Sequence, residues 1–197
     1  MKSNNSTAIF VDFENLRLGV FEKANKQNRY FFDYNANAQK VIDFCNLCVF
    51  DDFQESALND LYRVFFYSAR PTANHPSVSK INSFFSELEQ LNHTALRYGK
   101  LVKRGTEFVQ KQVDMLLGID IAEISIKKFV NRVVLIGYDS DMSPALKLAR
   151  CNGIQTVIVV FSDIKQRIDP SLFKHCDLIK RVSIKDIYQK LGISISP

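Results

Sequence analysis

Two periodicities alternate along the chain. Short runs of branched and aromatic apolar residues are separated by stretches in which apolar residues return every three or four positions. Thr7-Ala8-Ile9-Phe10-Val11-Asp12-Phe13 is nearly all apolar, as a strand covered on both faces would be, and the strand ends at Asp12. A polar loop bearing Tyr30, Phe31, Phe32 and Tyr34 follows. Ala38, Val41, Ile42, Cys45, Leu47, Cys48 and Val49 then fall at helical spacing over residues 36–49. Leu61 to Ala69 reads as a second strand closed by Arg70-Pro71. Val78, Ile81, Phe84, Phe85 and Leu88 predict a helix over Ser77–Leu91, with Pro76 just ahead of it. A strand is expected over Thr94–Val102, a loop over Gly105–Lys111 and a helix over residues 112–128.

Val133-Val134-Leu135-Ile136 is a further buried strand. The helix behind it has Pro144 in its first turn, where a missing N–H does no harm. Asn152-Gly153 suits a left-handed helix end, and Ile154–Phe161 another buried strand. A short helical piece over Asp169–Phe173, a strand over Asp177–Ile179 and a helix over Ile184–Leu191 follow. Strands alternating with helices predict an α/β fold whose mainly parallel central sheet is covered on both faces. No repeat, low-complexity tract or linker interrupts the pattern, so residues 1–197 are expected to form a single domain.

Three acids share one topological address in such a fold. Asp12 ends the first strand, and Asp139 and Asp141 follow the strand at 133–136. Parallel strands bring all their carboxyl ends to one edge of the sheet, where ligands bind. Asp114, in the first turn of its helix, is a fourth acid at that edge. Each has an ordinary use: Asp12 in the following turn, Asp114 against the helix dipole, Asp139 or Asp141 as a helix cap before Ser143-Pro144. Gathered together, they would repel one another unless a cation neutralised them, and carboxylate oxygens completed by water suit Mg²⁺ or Mn²⁺.

Composition adds little. The chain has 197 residues and a net charge of +5, a mild tilt toward polyanionic partners that many unrelated proteins share. No apolar run is long enough for a membrane span, and Met1-Lys2-Ser3-Asn4-Asn5-Ser6-Thr7 lacks a signal-peptide core, so a cytoplasmic location without membrane association is expected. Cys45 and Cys48 have C-x-x-C spacing but sit within an apolar helical pattern, with no second tight pair to complete a zinc set. His75, His93 and His175 show no nucleophile–base spacing, and neither a phosphate-binding P-loop nor a dinucleotide fingerprint is present.

The ordered motifs resemble the NYN-domain family, the LabA-like branch of the PIN-like nucleases. Ile9-Phe10-Val11-Asp12-Phe13-Glu14-Asn15-Leu16 is similar to its opening strand, with the Asp and the Asn after it. Lys111-Gln112-Val113-Asp114 with Asp120 resembles its Lys-Gly-Val-Asp helix start, and Ile136-Gly137-Tyr138-Asp139-Ser140-Asp141-Met142 its Ser-Gly-Asp-x-Asp-Phe motif. Asn152-Gly153 and the strand after it complete the set. Gln112, Gly137-Tyr138 and Met142 depart from the family pattern, standing for a glycine, a Ser-Gly pair and an aromatic.

The resemblance implies a Rossmann-like three-layer α/β/α sandwich and a Mg²⁺- or Mn²⁺-dependent ribonuclease. Asp12, Asp114 and Asp139 would hold the metal, and Asp141 would be a further ligand or outer acid. Asn15 would orient a water or a phosphate oxygen. Lys100, Lys103, Arg104 and Lys111 precede Asp114 in the chain, where they would hold the RNA backbone or simply form a solvated loop. Tyr30, Phe31, Phe32 and Tyr34 offer either a base-stacking platform or core. An inactive NYN-like module that binds RNA or protein is the alternative, and a homodimer is left open. A haloacid-dehalogenase-type phosphatase is disfavoured because position 14, where its second Asp belongs, is Glu14.

Overall fold

The computed structural model describes residues 6–18, 37–51, 60–105, 107–164 and 168–193. Among the described residues seven strands form one sheet: β1 (Thr7–Asp12), β2 (Leu61–Arg70), β3 (Thr94–Arg104), β4 (Glu107–Lys111), β5 (Arg132–Ile136), β6 (Gln155–Phe161) and β7 (Leu178–Val182). The helices are α1 (Phe13–Leu16), α2 (Ala38–Leu47), α3 (Val78–Glu89), α4 (Val113–Ile126), α5 (Ser143–Cys151), α6 (Pro170–Lys174) and α7 (Ile184–Lys190). A 3-10 turn, Ser140–Met142, leads into α5.

The strand order is β4-β3-β2-β1-β5-β6-β7, and every neighbouring pair is parallel except β3–β4. From β1 the chain builds outward through β2 and β3, then crosses back to lay β5, β6 and β7 on the other side. The reversal leaves a crevice at the carboxyl ends of β1 and β5, the place where open α/β sheets bind ligands.

Alternation along the strands sorts side chains into two layers. Ile9, Val11, Phe66, Val134 and Ile136 face α2, α3 and α7. Ala8, Phe10, Phe65, Tyr67, Val133 and Leu135 face α4, α5 and α6. Phe10 stacks on Phe65 at 5.1 Å on one side, and Phe13 on Phe84 at 5.4 Å on the other. Coverage on both faces is why the strand sequences read as continuous apolar runs rather than alternating ones. The expected α/β/α sandwich is the observed fold. Cys45 and Cys48 are buried in the α2 layer, as core residues.

Local chemistry sets the element ends. Asn37, Asp169 and Ser183 each cap a helix by accepting a backbone N–H, from Lys40, Ser171 and Asp186. The largest departure from expectation lies at β3. The strand runs on to Arg104, and the stretch expected to be a loop is β4, paired antiparallel to it around Gly105 at φ +60°. Lys, Arg, Glu and Gln at both ends of this hairpin hide its alternation. The following helix starts at Val113 because Gln112 is left-handed, at φ +70°. Phe13, expected in the first strand, opens α1. Tyr30, Phe31, Phe32 and Tyr34 lie outside the described residues. Among the described residues, no helix is long and apolar enough to cross a membrane.

Candidate active site

Asp12 is the last residue of β1 and points into the α4 layer, continuing the Ala8–Phe10 alternation. Its Oδ1 accepts the Asn15 N–H at 3.0 Å and so caps α1. Asp139 follows β5, and its Oδ1 accepts the Asp141 N–H at 2.9 Å, capping the 3-10 turn. The capping role and a site role are therefore compatible: each cap uses one carboxylate oxygen. The second oxygen of each has no donor among the described residues.

Close packing at the crevice depends on Gly137. A Cβ there would lie 3.3 Å from the Cβ of Asp12, tighter than most real contacts, so the backbone after β5 passes close to Asp12. Tyr138, which departs from the family pattern, turns the other way and packs against the α2–α3 layer. Met142 is buried in the α4–α5 core.

Asp114 stands exposed in the first turn of α4, near the other acids. Electrostatics record the gathering. Burial, and then repulsion from Asp114, Glu14 and Asp139, pushes the Asp12 carboxyl from 3.8 up to about 7 against the lowering effect of the Asn15 N–H. Asp114 is raised too, by desolvation first and by Asp139 and Asp141 after it. Asp141 is exposed on the 3-10 turn. None of these acids has a basic partner among the described residues. Asn15 adds a buried Oδ1 without a hydrogen-bond partner there, an arrangement costing about 1–3 kcal/mol unless something donates to it.

This donor set is all oxygen, negative and uncompensated, which fits a hard divalent cation. Among the described residues no three His, Cys, Asp or Glu side chains stand close enough to hold an ion ready-made.

A second acid on α4 has a different fate. Asp120 accepts the Tyr67 hydroxyl at 2.7 Å and the Arg97 Nε at 2.8 Å. Register sets Asp12 beside Tyr67 and Tyr67 beside Arg97, so this network lies one strand away from Asp12. Arg97 is thus separated in role from the other cations near the end of β3. Sequence reasoning missed the network because its members are distant in the chain. Glu14 is also neutralised, by a bidentate contact from Arg17 with a closest approach of 2.8 Å, so it is not a free proton donor of the kind a phosphatase needs.

The four hairpin cations take separate positions. Lys100 lies opposite Lys111, Arg104 opposite Glu107, and Lys103 opposite Phe108. Gly99, just before Lys100, is forced by packing: a Cβ there would come within 2.4 Å of the Lys111 carbonyl oxygen and 2.6 Å of the Val113 side chain. The hairpin is thereby seated directly against the start of α4.

A sequence model of the NYN domain matches residues 6–180. The chain belongs to the NYN-domain family. That places it in the PIN-like nuclease superfamily. A crystal structure of a protein of unknown function from Vibrio parahaemolyticus, 16% identical, aligns with TM-score 0.56 over 93% of this chain and 98% of that one, a likeness of fold. A structure from Parabacteroides merdae aligns at 8% identity and TM-score 0.31, over 96% of this chain and 30% of that one, too weakly to carry an argument. No curated protein matches. The backbone at position 112 is left-handed, a conformation that favours glycine, and this chain holds it with Gln112.

Proposed function

We propose that this NYN domain is a Mg²⁺- or Mn²⁺-dependent ribonuclease that hydrolyses RNA phosphodiester bonds at the crevice between β1 and β5. One observation carries the reading: acids from three separate elements gather at the topological switch point with no basic side chain to neutralise them, and they raise one another's proton affinity. Structural acids in the same chain are treated differently. Asp120 and Asp177 are each bound to an arginine, at 2.8 Å.

In this reading Asp12, Asp114 and Asp139 hold the ion, and Asp141 acts as an outer acid. When bound, a divalent ion supplies positive charge to the phosphoryl group and acidity to water. Asn15 orients a water or a phosphate oxygen by hydrogen bonding through its side-chain amide. The caps on Asp12 and Asp139 fix their carboxylates in rotation, so their second oxygens are presented without a reorganisation cost. Lys100, Arg104 and Lys111, on one face of the hairpin, supply the positive field that draws the RNA backbone.

The test is a cleavage assay on single-stranded and structured RNA with Mn²⁺, beside Asp139→Asn and Asp114→Asn. Cleavage by the wild type that both substitutions abolish supports the proposal; cleavage unchanged by them defeats it. A module that binds RNA without cutting it is the second reading, favoured by the lack of a ready-made three-ligand set among the described residues. It wins if the wild type binds RNA but never cleaves with either metal.

A further inference from the structure

The β3–β4 hairpin is an arm. The last residue of β2, Arg70, pairs with Lys100, and β3 continues to Arg104 against β4 alone. At about 3.3 Å per residue the arm rises roughly 13 Å beyond β2, above the sheet edge that bears Asp12. Its two faces differ. One carries Leu101, Phe108 and Gln110, all half-buried, and Phe108 packs on the His75 ring at 4.7 Å. Lys103, opposite Phe108, is the only cation of the hairpin on that packed face. The other face carries Lys100, Val102, Arg104, Glu107 and Lys111, all exposed, and Val109, half-buried, with Glu107 opposite Arg104 at the tip.

Lys100 and Lys111 are directly opposite each other on that open face. Like charges at such positions destabilise a strand pair. Some cations elsewhere pair with acids, Arg97 with Asp120, Arg150 with Asp177 and Lys180 with Asp51, while others such as Lys147 have none among the described residues. Lys100 and Lys111 have no acidic partner among the described residues. The arrangement is anchored, because Gly99 seats the base of the arm against the Lys111 carbonyl and Val113, and Asp114 is the next residue of α4.

We infer that Lys100 and Lys111 form a clamp for a phosphate of a single RNA strand, and that the strand runs up the open face of the arm toward Arg104. The inference rests on the ribonuclease reading for its purpose, though the clamp itself is a binding property. Two facing ammonium groups meet the need of a phosphodiester better than one, and their mutual repulsion is relieved when the phosphate lies between them. The packed face, with Lys103, makes no contact with the strand.

The experiment is fluorescence anisotropy with a labelled single-stranded RNA oligonucleotide in EDTA, so that no cleavage intervenes, over a series of KCl concentrations. Lys100→Ala with Lys111→Ala should weaken binding roughly tenfold or more at moderate salt. The slope of log affinity against log salt should become shallower by about 1.4, the value for two lost contacts to a single strand. Lys103→Ala should move neither. Lys111→Gln, which relieves the facing charges, should raise Tm by about 1 °C while weakening RNA binding, a pairing of effects that a solvated surface lysine would not give. Loss of affinity in Lys103→Ala equal to that of the double variant overturns the clamp. So does an unchanged salt slope, or a wild type that binds no RNA. A wild type that binds with the expected slope but never cleaves with Mn²⁺ leaves the clamp standing and removes only the ribonuclease.

Discussion

Asp114 and Asp120 sit on the same helix, less than two turns apart, and their surroundings are opposite. Asp120 is tied to Arg97 and Tyr67, and its charge is matched. Asp114 has no cation beside it among the described residues, and desolvation first and then Asp139 and Asp141 raise its proton affinity. One acid helps to dock α4 on the sheet, and the other is left at a cost in stability. The helix dipole favours an acid at Asp114 and the neighbouring acids work against it, so we propose that Asp120 is a structural carboxylate and Asp114 one kept for a ligand.

The strongest way to break this comparison is through activity. Asp139→Asn or Asp114→Asn should lower kcat/KM for RNA by about a thousandfold or more, some 4 kcal/mol, without lowering Tm. Equal loss of activity in Asp120→Ala with the fold intact would erase the distinction. Gly99→Ala should be nearly as severe, but for stability: the added Cβ meets backbone at 2.4 Å, and a cost of about 3 kcal/mol is expected in chemical denaturation.

Asp12 holds its proton up to about pH 7 in the folded chain, against 3.8 ordinarily, so the folded state binds that proton more tightly than the unfolded one. Without metal, stability therefore falls as pH rises between roughly 4 and 7, and the full penalty stands above 7. Asp12→Asn should raise the metal-free Tm at pH 8 and leave it nearly unchanged at pH 4. Mn²⁺ at about a hundred times its Kd should add about 2.7 kcal/mol at pH 8, several degrees in Tm by scanning fluorimetry, and clearly less at pH 5. A Mn²⁺ effect that is the same at both pH values would remove Asp12 from the proposed ligand set.

Asp120→Ala should cost about 1–3 kcal/mol, because the buried Tyr67 hydroxyl loses its acceptor. Cleavage should stay within about tenfold of wild type. Smallest is Gln112→Gly, which trades left-handed strain for backbone entropy and should stabilise by about 0.5–1 kcal/mol, read as a Tm rise of about 1–3 °C. A fall in Tm would mean that the Gln112 side chain contributes more than its backbone costs.

The sequence alone determined the layers and the edge. Strands buried on both faces are written as uninterrupted apolar runs, and helices as runs of period near 3.6, because coverage by neighbours is imposed residue by residue. From that alternation the α/β/α class followed, and with it the common edge shared by Asp12, Asp114 and Asp139. Only the tertiary structure decided which acids are neutralised. Pairing of Asp120 with Arg97 and Tyr67 joins three elements, and nothing in local sequence distinguishes it from the unpaired Asp114. The arm was hidden for a related reason. A hairpin with one open face and one lightly packed face carries charges on both, so its period of two is lost, and only register reveals that Lys100 faces Lys111 while Lys103 does not. The reasons for Gly99 and Gly137 were equally invisible, since each is set by an atom of another strand, helix or turn. Local pattern records what covers a residue; what stands opposite it is a property of the folded chain.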